Sequence, residues 1–233
     1  MEKYGMVPYT NINLPVVMFG CYGAQIDVAL KNRATVKIIW AGSDCSNFIK
    51  HPEWVEKVKG KENISHIAIS NFIVDDLNKV GIKHEHIPIV PFDNKDITPQ
   101  PCGDSIYMYK PSAYNPVLCR AIKRELPQFT YIETWHNTYS RQELIEQYKK
   151  CFIGLRFTNH DGLANTAVEL GLMGRKVIWN GCTPNAIKYS PDDFKTIKQN
   201  ILKEYELRNS DNYLKVGKKM YDYINIGDDF LNI

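Results

Sequence analysis

The sequence predicts an α/β protein in which two parallel sheets follow one another along the chain. Short apolar runs alternate with amphipathic stretches across all 233 residues, which is typical of β-α-β units. A polar segment with two prolines, DNKDITPQPCGD at residues 93–104, separates two such series and is interpreted as a linker. A chain of this length can bury two small cores. We therefore expect two Rossmann-like domains, residues 1–98 and residues 99–233.

The first series holds four predicted strands, at residues 15–20, 35–42, 65–70 and 87–92. Predicted helices cover residues 24–32, 52–60 and 72–81. The last of these ends on Gly81, a residue type that suits a helix C-terminus.

The second series holds predicted strands at residues 105–110, 129–135, 151–157 and 176–180. Helices are predicted at residues 116–126, at residues 140–150 and from near Asn165, followed by a helical tail with a break near Asn209 and Ser210. Pro116 suits the first turn of a helix, and Ser140 with Glu143 has the spacing of a capping box. In open parallel sheets ligands bind at the carboxyl ends of the strands, so a cleft between two facing domains is the expected site.

Composition and charge argue against several classes of protein. The net charge is +3 and the lysines are scattered, so nucleic-acid binding is not expected. The six cysteines form no C-x-x-C pair, which argues against a structural zinc site or a disulfide scaffold. Without a signal-peptide or membrane-spanning run, we expect a cytoplasmic protein with no transmembrane segment. A homodimer is left open.

The loop after the strand at residues 151–157 carries the strongest candidate site, in the stretch NHDGLANTAVELGLMGRKVIWN. Gly162 leaves room for a ligand, and the N–H groups of residues 163–167 can receive a phosphate at the helix start. Glu169 can then accept from ribose hydroxyls, with Asp161 on the other side of the pyrophosphate. The alternative is structural: Thr166 and Glu169 have capping-box spacing, and local pattern alone favours that interpretation.

Lys110, Arg156 and Asp44 are further candidates, because each lies in or after a predicted strand. Lys110 is either a counter-charge for a pyrophosphate or a solvated strand end. Arg156 is either a phosphate ligand or one half of a structural ion pair. Asp44 either overlooks the cleft from the first domain or caps a helix together with Ser43. His160 is a candidate because it precedes Asp161.

HDGLANTAVELGLMGRKVI resembles the signature of the retaining, B-type (GT-B) glycosyltransferases of group 1, family 4. SRQELIEQYKKCFIGLRFT, HIAISNFIVDDLNKVGIKHEHIPIVPFD and IIWAGSD are similar to other parts of that family. The chain departs from the family in a short first domain, in Asp161 where glutamate is usual, and in a basic pair of which only Lys110 can be assigned.

The resemblance implies two Rossmann-like domains facing across a cleft, with the acceptor on residues 1–98 and the donor on residues 99–233. It implies metal-independent, retaining transfer of a sugar from a nucleotide-sugar donor to a hydroxyl of a glycan or glycoconjugate, with no cofactor. GDP-mannose is the donor expected at family level. The implied catalytic residues are Asp161, Lys110 and Asp44. The implied donor-binding residues are Gly162, Leu163, Ala164, Asn165, Thr166, Glu169, Thr134, Trp135, His136, Arg156 and His160.

Three other functions are alternatives to the transfer of a sugar. Glycoside hydrolysis fits poorly, because nothing in the pattern places Asp161 and Glu169 across a scissile bond. A non-catalytic nucleotide-sugar-binding module is favoured by the short first domain. A nucleotide-sugar epimerase would share the two-domain fold, and the fold alone does not separate it from a transferase.

Overall fold

A computed structural model describes residues 8–90, 93–135 and 139–224. The chain divides into two compact units, with the division between Pro88 and Ile89. Each unit contains one parallel sheet. The boundary expected after residue 98, the roles of the two parts and their arrangement about a cleft stay predictions.

Within the described residues, the first unit has a four-stranded sheet in the order β1-β2-β3-β4, parallel throughout. Its elements are β1 (Val16–Phe19), α1 (Ala24–Lys31), β2 (Val36–Trp40), α2 (Ser43–Phe48), α3 (Pro52–Lys59), β3 (Ile64–Ala68), α4 (Asn71–Lys79) and β4 (Glu85–His86). Strands β2 and β3 are largely buried, as expected of central strands in a parallel sheet.

Two elements of the first unit differ from the sequence prediction. The strand predicted at residues 87–92 was wrong: pairing with β3 is confined to Glu85 and His86, and residues 87–90 are outside any strand. Proline has no N–H to donate to a sheet, and Pro88 is the second residue after this short strand. Residues 91–92 lie outside the described part of the chain. Helix α2 was missed because six residues are too few to show a helical period.

In the part of the chain that the structure describes, the second unit has a five-stranded parallel sheet in the order β6-β5-β7-β8-β9. Its elements are β5 (Ser105–Tyr109), α5 (Pro116–Glu125), β6 (Tyr131–Thr134), α6 (Arg141–Lys149), β7 (Cys151–Leu155), α7 (Asn165–Leu172), β8 (Lys176–Ile178), β9 (Ala186–Ile187), α8 (Phe194–Leu207) and α9 (Asn212–Ile224). The break predicted in the helical tail is confirmed between α8 and α9. The two-residue strand β9 was not predicted.

Helix α7 is placed on the second sheet by close packing. A Cβ atom added to Gly154 of β7 would lie 2.6 Å from Leu170 of α7, so the glycine gives that side chain its space. On another side of α7, a Cβ added to Gly171 would lie 2.7 Å from Asn185 and 2.8 Å from Met220 of α9. This double packing explains why the helix is buried from Thr166 to Leu172, and it holds the loop before α7 at the carboxyl edge of the sheet.

The segment predicted as a linker is bound to the second unit from Gln100 onward. Arg175, which is 0% exposed, donates to the carbonyl oxygens of Gln100 at 2.6 Å, Pro101 at 2.7 Å and Cys151 at 3.2 Å. Gly103 passes so close to the main chain of residue 150 that an added Cβ would overlap it. A guanidinium has five N–H donors, and carbonyl partners of this kind let it be buried without a counter-ion.

Candidate functional site

The carboxyl ends of β5, β6 and β7 form one edge of the second sheet, because these strands are parallel neighbours. Lys110 follows β5, Thr134 ends β6, and Arg156 follows β7. The loop before α7, which carries Asp161, begins at the same edge. Residues distant in sequence are therefore brought together where ligands bind in parallel α/β sheets.

Asp161 forms a short ion pair with Arg156. Its Oδ2 accepts from Arg156 Nε at 2.5 Å and from the Thr158 hydroxyl at 3.3 Å, and its Oδ1 accepts from the N–H of Gly162 at 3.0 Å. Both side chains are largely shielded from water, Arg156 at 8% exposure and Asp161 at 15%. Burial acts to lower the pKa of Arg156, but Asp161 and Tyr109 together outweigh it, so that this pKa is raised and the guanidinium stays charged.

Two cations lie against the ring of Tyr109, the last residue of β5. The guanidinium carbon of Arg156 lies 3.8 Å from the ring centroid, and Lys110 Nζ lies 5.1 Å from it. Tyr114 stacks on Tyr109 with the centroids 5.7 Å apart. Cations are attracted to the faces of aromatic rings. Tyr109 was not predicted to be a site residue, because an aromatic residue in a strand is most simply a core residue.

Lys110 is 6% exposed, so it is not the solvated strand end that local pattern favoured. Its φ angle is 44°, in the left-handed region that non-glycine residues seldom adopt. The turn is held by its N–H, which donates to Thr134 O at 2.9 Å, and by its carbonyl oxygen, which accepts from the N–H groups of Ala113 and Tyr114 at 3.0 Å. Backbone strain of this kind is concentrated at functional sites.

The N-terminus of α7 is not closed by a capping box. Among the described residues, no side chain caps this helix at Ala164, the N-cap position, and Thr166 lies inside the helix. The capping box expected of Thr166 and Glu169 is therefore wrong. The N–H of Ala167 donates to Ala164 O at 2.9 Å, so it is not available to a phosphate as expected. The candidate phosphate-binding site is therefore limited to the N–H groups of residues 163–166.

Glu169 is buried at 4% exposure and pairs with Arg141, the first residue of α6. Arg141 Nη1 lies 3.2 Å from Glu169 Oε1. Burial raises the pKa of Glu169 above its ordinary value, and Arg141 acts in the opposite direction. Sequence reasoning missed Arg141, although a cation at the first position of a helix is unfavourable and could have drawn attention to it.

Solved structures of low sequence identity share this fold. TarM matches with a TM-score of 0.56 at 10% identity, over 90% of this chain and 52% of TarM. Sucrose-phosphate synthase from Thermosynechococcus elongatus matches with a TM-score of 0.56 at 13% identity, over 90% of this chain and 69% of that protein. A glycosyltransferase from Rickettsia africae matches with a TM-score of 0.55 at 14% identity, over 90% of this chain and 71% of that protein. The chain therefore has an α/β fold with parallel sheets that is similar to the fold of these GT-B glycosyltransferases.

The chain thus spans about half of the length of TarM. A TarM mutant from S. aureus, in complex with fondaparinux, α-GlcNAc-glycerol and UDP, matches with a TM-score of 0.51 at 11% identity, over 83% of this chain and 48% of that one. No protein-family model matches the sequence, and no curated protein matches it.

Other residues predicted to bind the donor lie at the same edge of the second sheet, in different environments. The Thr134 hydroxyl is buried and bonded to the Tyr107 hydroxyl at 2.6 Å. Trp135 is 51% exposed, and His160 and Asn165 are exposed too. His136 lies outside the described residues.

Asp44 belongs to the first unit and is completely buried. Its Oδ2 accepts from the N–H of Cys21 at 3.1 Å, and its Oδ1 accepts from those of Ala41 at 3.1 Å and Gly42 at 2.7 Å. The carboxylate thereby joins the loop after β1 to the loop after β2. Ser43 does not cap α2, whose N-cap is Gly42. The catalytic role expected of Asp44 stays a prediction.

Two further findings concern ions and membranes. Within residues 8–90, 93–135 and 139–224, no group of three or more histidine, cysteine, aspartate or glutamate side chains is arranged to hold a metal ion. Over the same ranges, no helix has the length and apolar character needed to cross a membrane.

Proposed function

We propose that this chain is a glycosyltransferase that moves a sugar from a nucleotide-sugar donor to an acceptor hydroxyl. The observation that carries the proposal is the cluster at the edge of the second sheet, where Arg156 pairs with Asp161 and stacks on Tyr109 beside Lys110. Two buried cations beside a helix N-terminus can bind a diphosphate. Because these cations are shielded from water, their attraction to the negative charge of the diphosphate is only weakly screened. The GT-B fold of the chain supports the same reaction class.

The proposed mechanism depends on stabilising the leaving group. As the bond between sugar and diphosphate breaks, negative charge grows on the diphosphate oxygens. The positive charge that faces these oxygens is already in place before the reaction starts. It comes from Lys110, Arg156 and the N–H groups of residues 163–166. Asp161 accepts hydrogen bonds from the donor sugar and, through Arg156 Nε, fixes the guanidinium in place. Interactions that strengthen as charge develops lower the barrier, since they favour the transition state over the bound donor.

The remaining donor contacts are assigned by position. Glu169 accepts from the ribose hydroxyls, and Trp135, Thr134 and His136 are assigned to the base. Gly162 gives the donor room to approach the backbone, and His160 precedes it on the exposed part of the loop. Leu163, Ala164, Asn165 and Thr166 contribute their main-chain N–H groups to the phosphates.

The finer features rest on the family resemblance. We propose retention of the anomeric configuration, no requirement for a metal and a cytoplasmic protein. GDP-mannose is the first donor to try, and the UDP bound by the TarM mutant makes UDP-sugars the second. The acceptor, a glycan or glycoconjugate, is assigned to residues 1–98 and the donor to residues 99–233. Asp44 contributes by holding the loops of the first unit in place.

A donor screen tests this proposal. GDP-, UDP-, ADP- and TDP-sugars are titrated into the full chain by calorimetry, with and without magnesium or manganese. One nucleotide should bind clearly better than the others, to the same extent with and without metal. Absence of binding to all of them, or binding only with a divalent metal, would refute the proposal.

Two other functions remain to be separated from transfer. A non-catalytic binding module is favoured by the small first unit, which ends at Pro88. Such a module would bind the donor and leave it intact in the presence of acceptor. An epimerase would instead change the sugar while it stays attached to the nucleotide. Chromatography of the products, started from the best-bound donor, distinguishes these three outcomes.

A further inference from the structure

Arg141 links the buried acid of the candidate donor site to the beginning of the second unit. Its Nη1 lies 3.2 Å from Glu169 Oε1, and its Nη2 donates to Asp93 O at 2.8 Å. The Glu169 side chain is 6% exposed and the Arg141 side chain 43%. The pair thus joins an acid that is shielded from water to a cation that still reaches solvent.

The position of Arg141 in its own helix needs an explanation. Arg141 is the first residue of α6, directly after the N-cap Ser140. A helix N-terminus carries partial positive charge, so a cation there is unfavourable. The helix end is already completed by the capping box of Ser140 and Glu143. Arg141 therefore does not stabilise the end of α6. Its contact with Glu169 explains its position.

Tyr148 also favours the charged form of Glu169, because its side-chain hydrogen bond lowers the pKa of that carboxyl, but it does so without a charge of its own. Tyr148, also on α6, faces Glu169, and Tyr107 of β5 lies against Tyr148 with the ring centroids 5.1 Å apart. Burial raises the pKa of Tyr148 well above its ordinary value and that of Tyr107 to about 12, so both hydroxyls stay neutral. Among the described residues, Arg141 is the cation whose charge acts on Glu169.

We propose that Arg141 is a positioning residue for donor binding, which keeps the Glu169 carboxylate ionised and oriented toward the ribose. The inference rests on the proposed function, because it presupposes a nucleotide donor. An ionised carboxylate accepts hydrogen bonds on both oxygens, whereas a protonated one uses one oxygen as a donor. Loss of Arg141 would therefore weaken the contact with two ribose hydroxyls, and the loss would depend on pH.

A carboxyl titration tests the first half of this inference without any ligand. The ¹³C signal of the Glu169 carboxyl is followed against pH in the wild type and in Arg141→Gln, and it is identified by its absence in Glu169→Gln. We expect the midpoint to move to higher pH in Arg141→Gln and to stay near the wild type in Arg141→Lys. A folded Arg141→Gln protein with an unmoved midpoint would overturn the inference.

The matched control is Lys176→Gln. Lys176 Nζ lies 2.8 Å from Glu204 Oε1, in a pair whose acid is 8% exposed and whose cation is 29% exposed. This pair lies in the same unit but involves the first residue of β8, at the opposite end of the strands from the candidate site. The control should leave the Glu169 midpoint unchanged. Arg141→Met is a second neutral variant, with the same expectation, in case Arg141→Gln does not fold.

A binding titration tests the second half. GDP, UDP, ADP and TDP are each titrated into the wild type and the variants by calorimetry between pH 6 and pH 9. Arg141→Gln should bind the preferred nucleotide about tenfold more weakly near neutral pH and recover affinity as the pH rises, because a charge-assisted bond is weakened. Arg141→Lys should lose less affinity, and Lys176→Gln should bind like the wild type.

Two results separate a failed inference from a failed function. If Glu169→Gln loses affinity while Arg141→Gln binds like the wild type at every pH, the inference is wrong and the proposed function stands. If the wild type binds none of the four nucleotides, the proposed function is wrong. In that case, a higher titration midpoint of Glu169 in Arg141→Gln would still show that Arg141 lowers the pKa of Glu169.

Discussion

An aspartate follows one strand of each sheet, Asp44 after β2 and Asp161 after β7, and the two side chains are held in different ways. Asp44 of the first unit is completely buried, and its oxygens accept from main-chain N–H groups such as those of Cys21 and Gly42. Asp161 of the second unit is partly exposed and pairs with a side chain, that of Arg156. Main-chain partners bind an acid into the framework, whereas a side-chain partner can be shared with a ligand. The comparison indicates that Asp44 supports the loops and Asp161 belongs to the site.

The largest effect is expected when Asp44 is removed. Asp44→Ala leaves several buried N–H groups without an acceptor and should lower the free energy of unfolding by roughly 3–5 kcal/mol. Denaturant unfolding measures this change. Asp27→Ala, in the exposed first turn of α1, is the control and should change stability little. A loss below about 1 kcal/mol in Asp44→Ala would contradict the framework role.

Asp161→Asn should mainly affect turnover. It keeps the shape of the side chain but weakens the bonds to Arg156 and to the donor sugar, so kcat should fall roughly a hundredfold through lost positioning. Affinity for the nucleotide alone should fall less than about tenfold. Steady-state kinetics and calorimetry measure the two effects. Asp104→Asn breaks an exposed pair with Arg208 and should leave both unchanged; equal losses of turnover and of affinity in Asp161→Asn would argue against its assigned role.

Two buried groups, one in each unit, should respond to acid with opposite signs. Burial lowers the pKa of His66 in β3 from 6.5 to about 4. The unfolded chain therefore takes up this proton first, and stability is lost as the pH falls from about 6.5 toward 4, by about 2 kcal/mol at pH 5. The raised pKa of Glu169 acts the other way, since its contribution is present at low pH and lost as the pH rises through that pKa.

Unfolding by denaturant at several pH values measures this dependence. His66→Gln keeps an acceptor for Trp40 Nε1, which donates to His66 Nδ1 at 3.1 Å, and it should remove most of the loss of stability between pH 7 and pH 5. Glu169→Gln should remove the opposing contribution. An unchanged pH profile in His66→Gln would show that other groups govern the acid response.

The smallest effect in this series concerns Glu169. Glu169→Gln should weaken binding of the preferred nucleotide about tenfold, because a charge-assisted hydrogen bond to the ribose becomes a neutral one. Stability should hold or rise, since burying a charge is unfavourable and the half-exposed Arg141 can regain water. Glu204→Gln changes a comparable buried acid and should leave affinity unchanged. Lower stability with unchanged affinity would make Glu169 structural.

Much of the fold followed from local pattern. Seven of the eight predicted strands and the helices between them lie close to their predicted positions, and Ser140 with Glu143 forms the expected capping box. The failures were short elements: the strand predicted at residues 87–92, the missed helix α2 and the missed strand β9. Strands of two residues show no alternation, and a helix of six residues spans less than two turns, so neither has a period that stands out from the background.

The sequence by itself determined that the candidate acids come after strands of a parallel sheet, because alternation and turn residues report local burial. Only the tertiary structure decided which partner each acid takes. Capping-box spacing suggested Thr166 for Glu169, yet the folded chain pairs Glu169 with Arg141, and Asp161 with an Arg156 stacked on Tyr109. The contacts of Glu169 and Tyr109 depend on strand order and helix packing, which join residues distant in sequence, whereas the pair of Asp161 with Arg156 depends on the turn of the loop between them. Neither kind of contact leaves a periodic trace in the sequence.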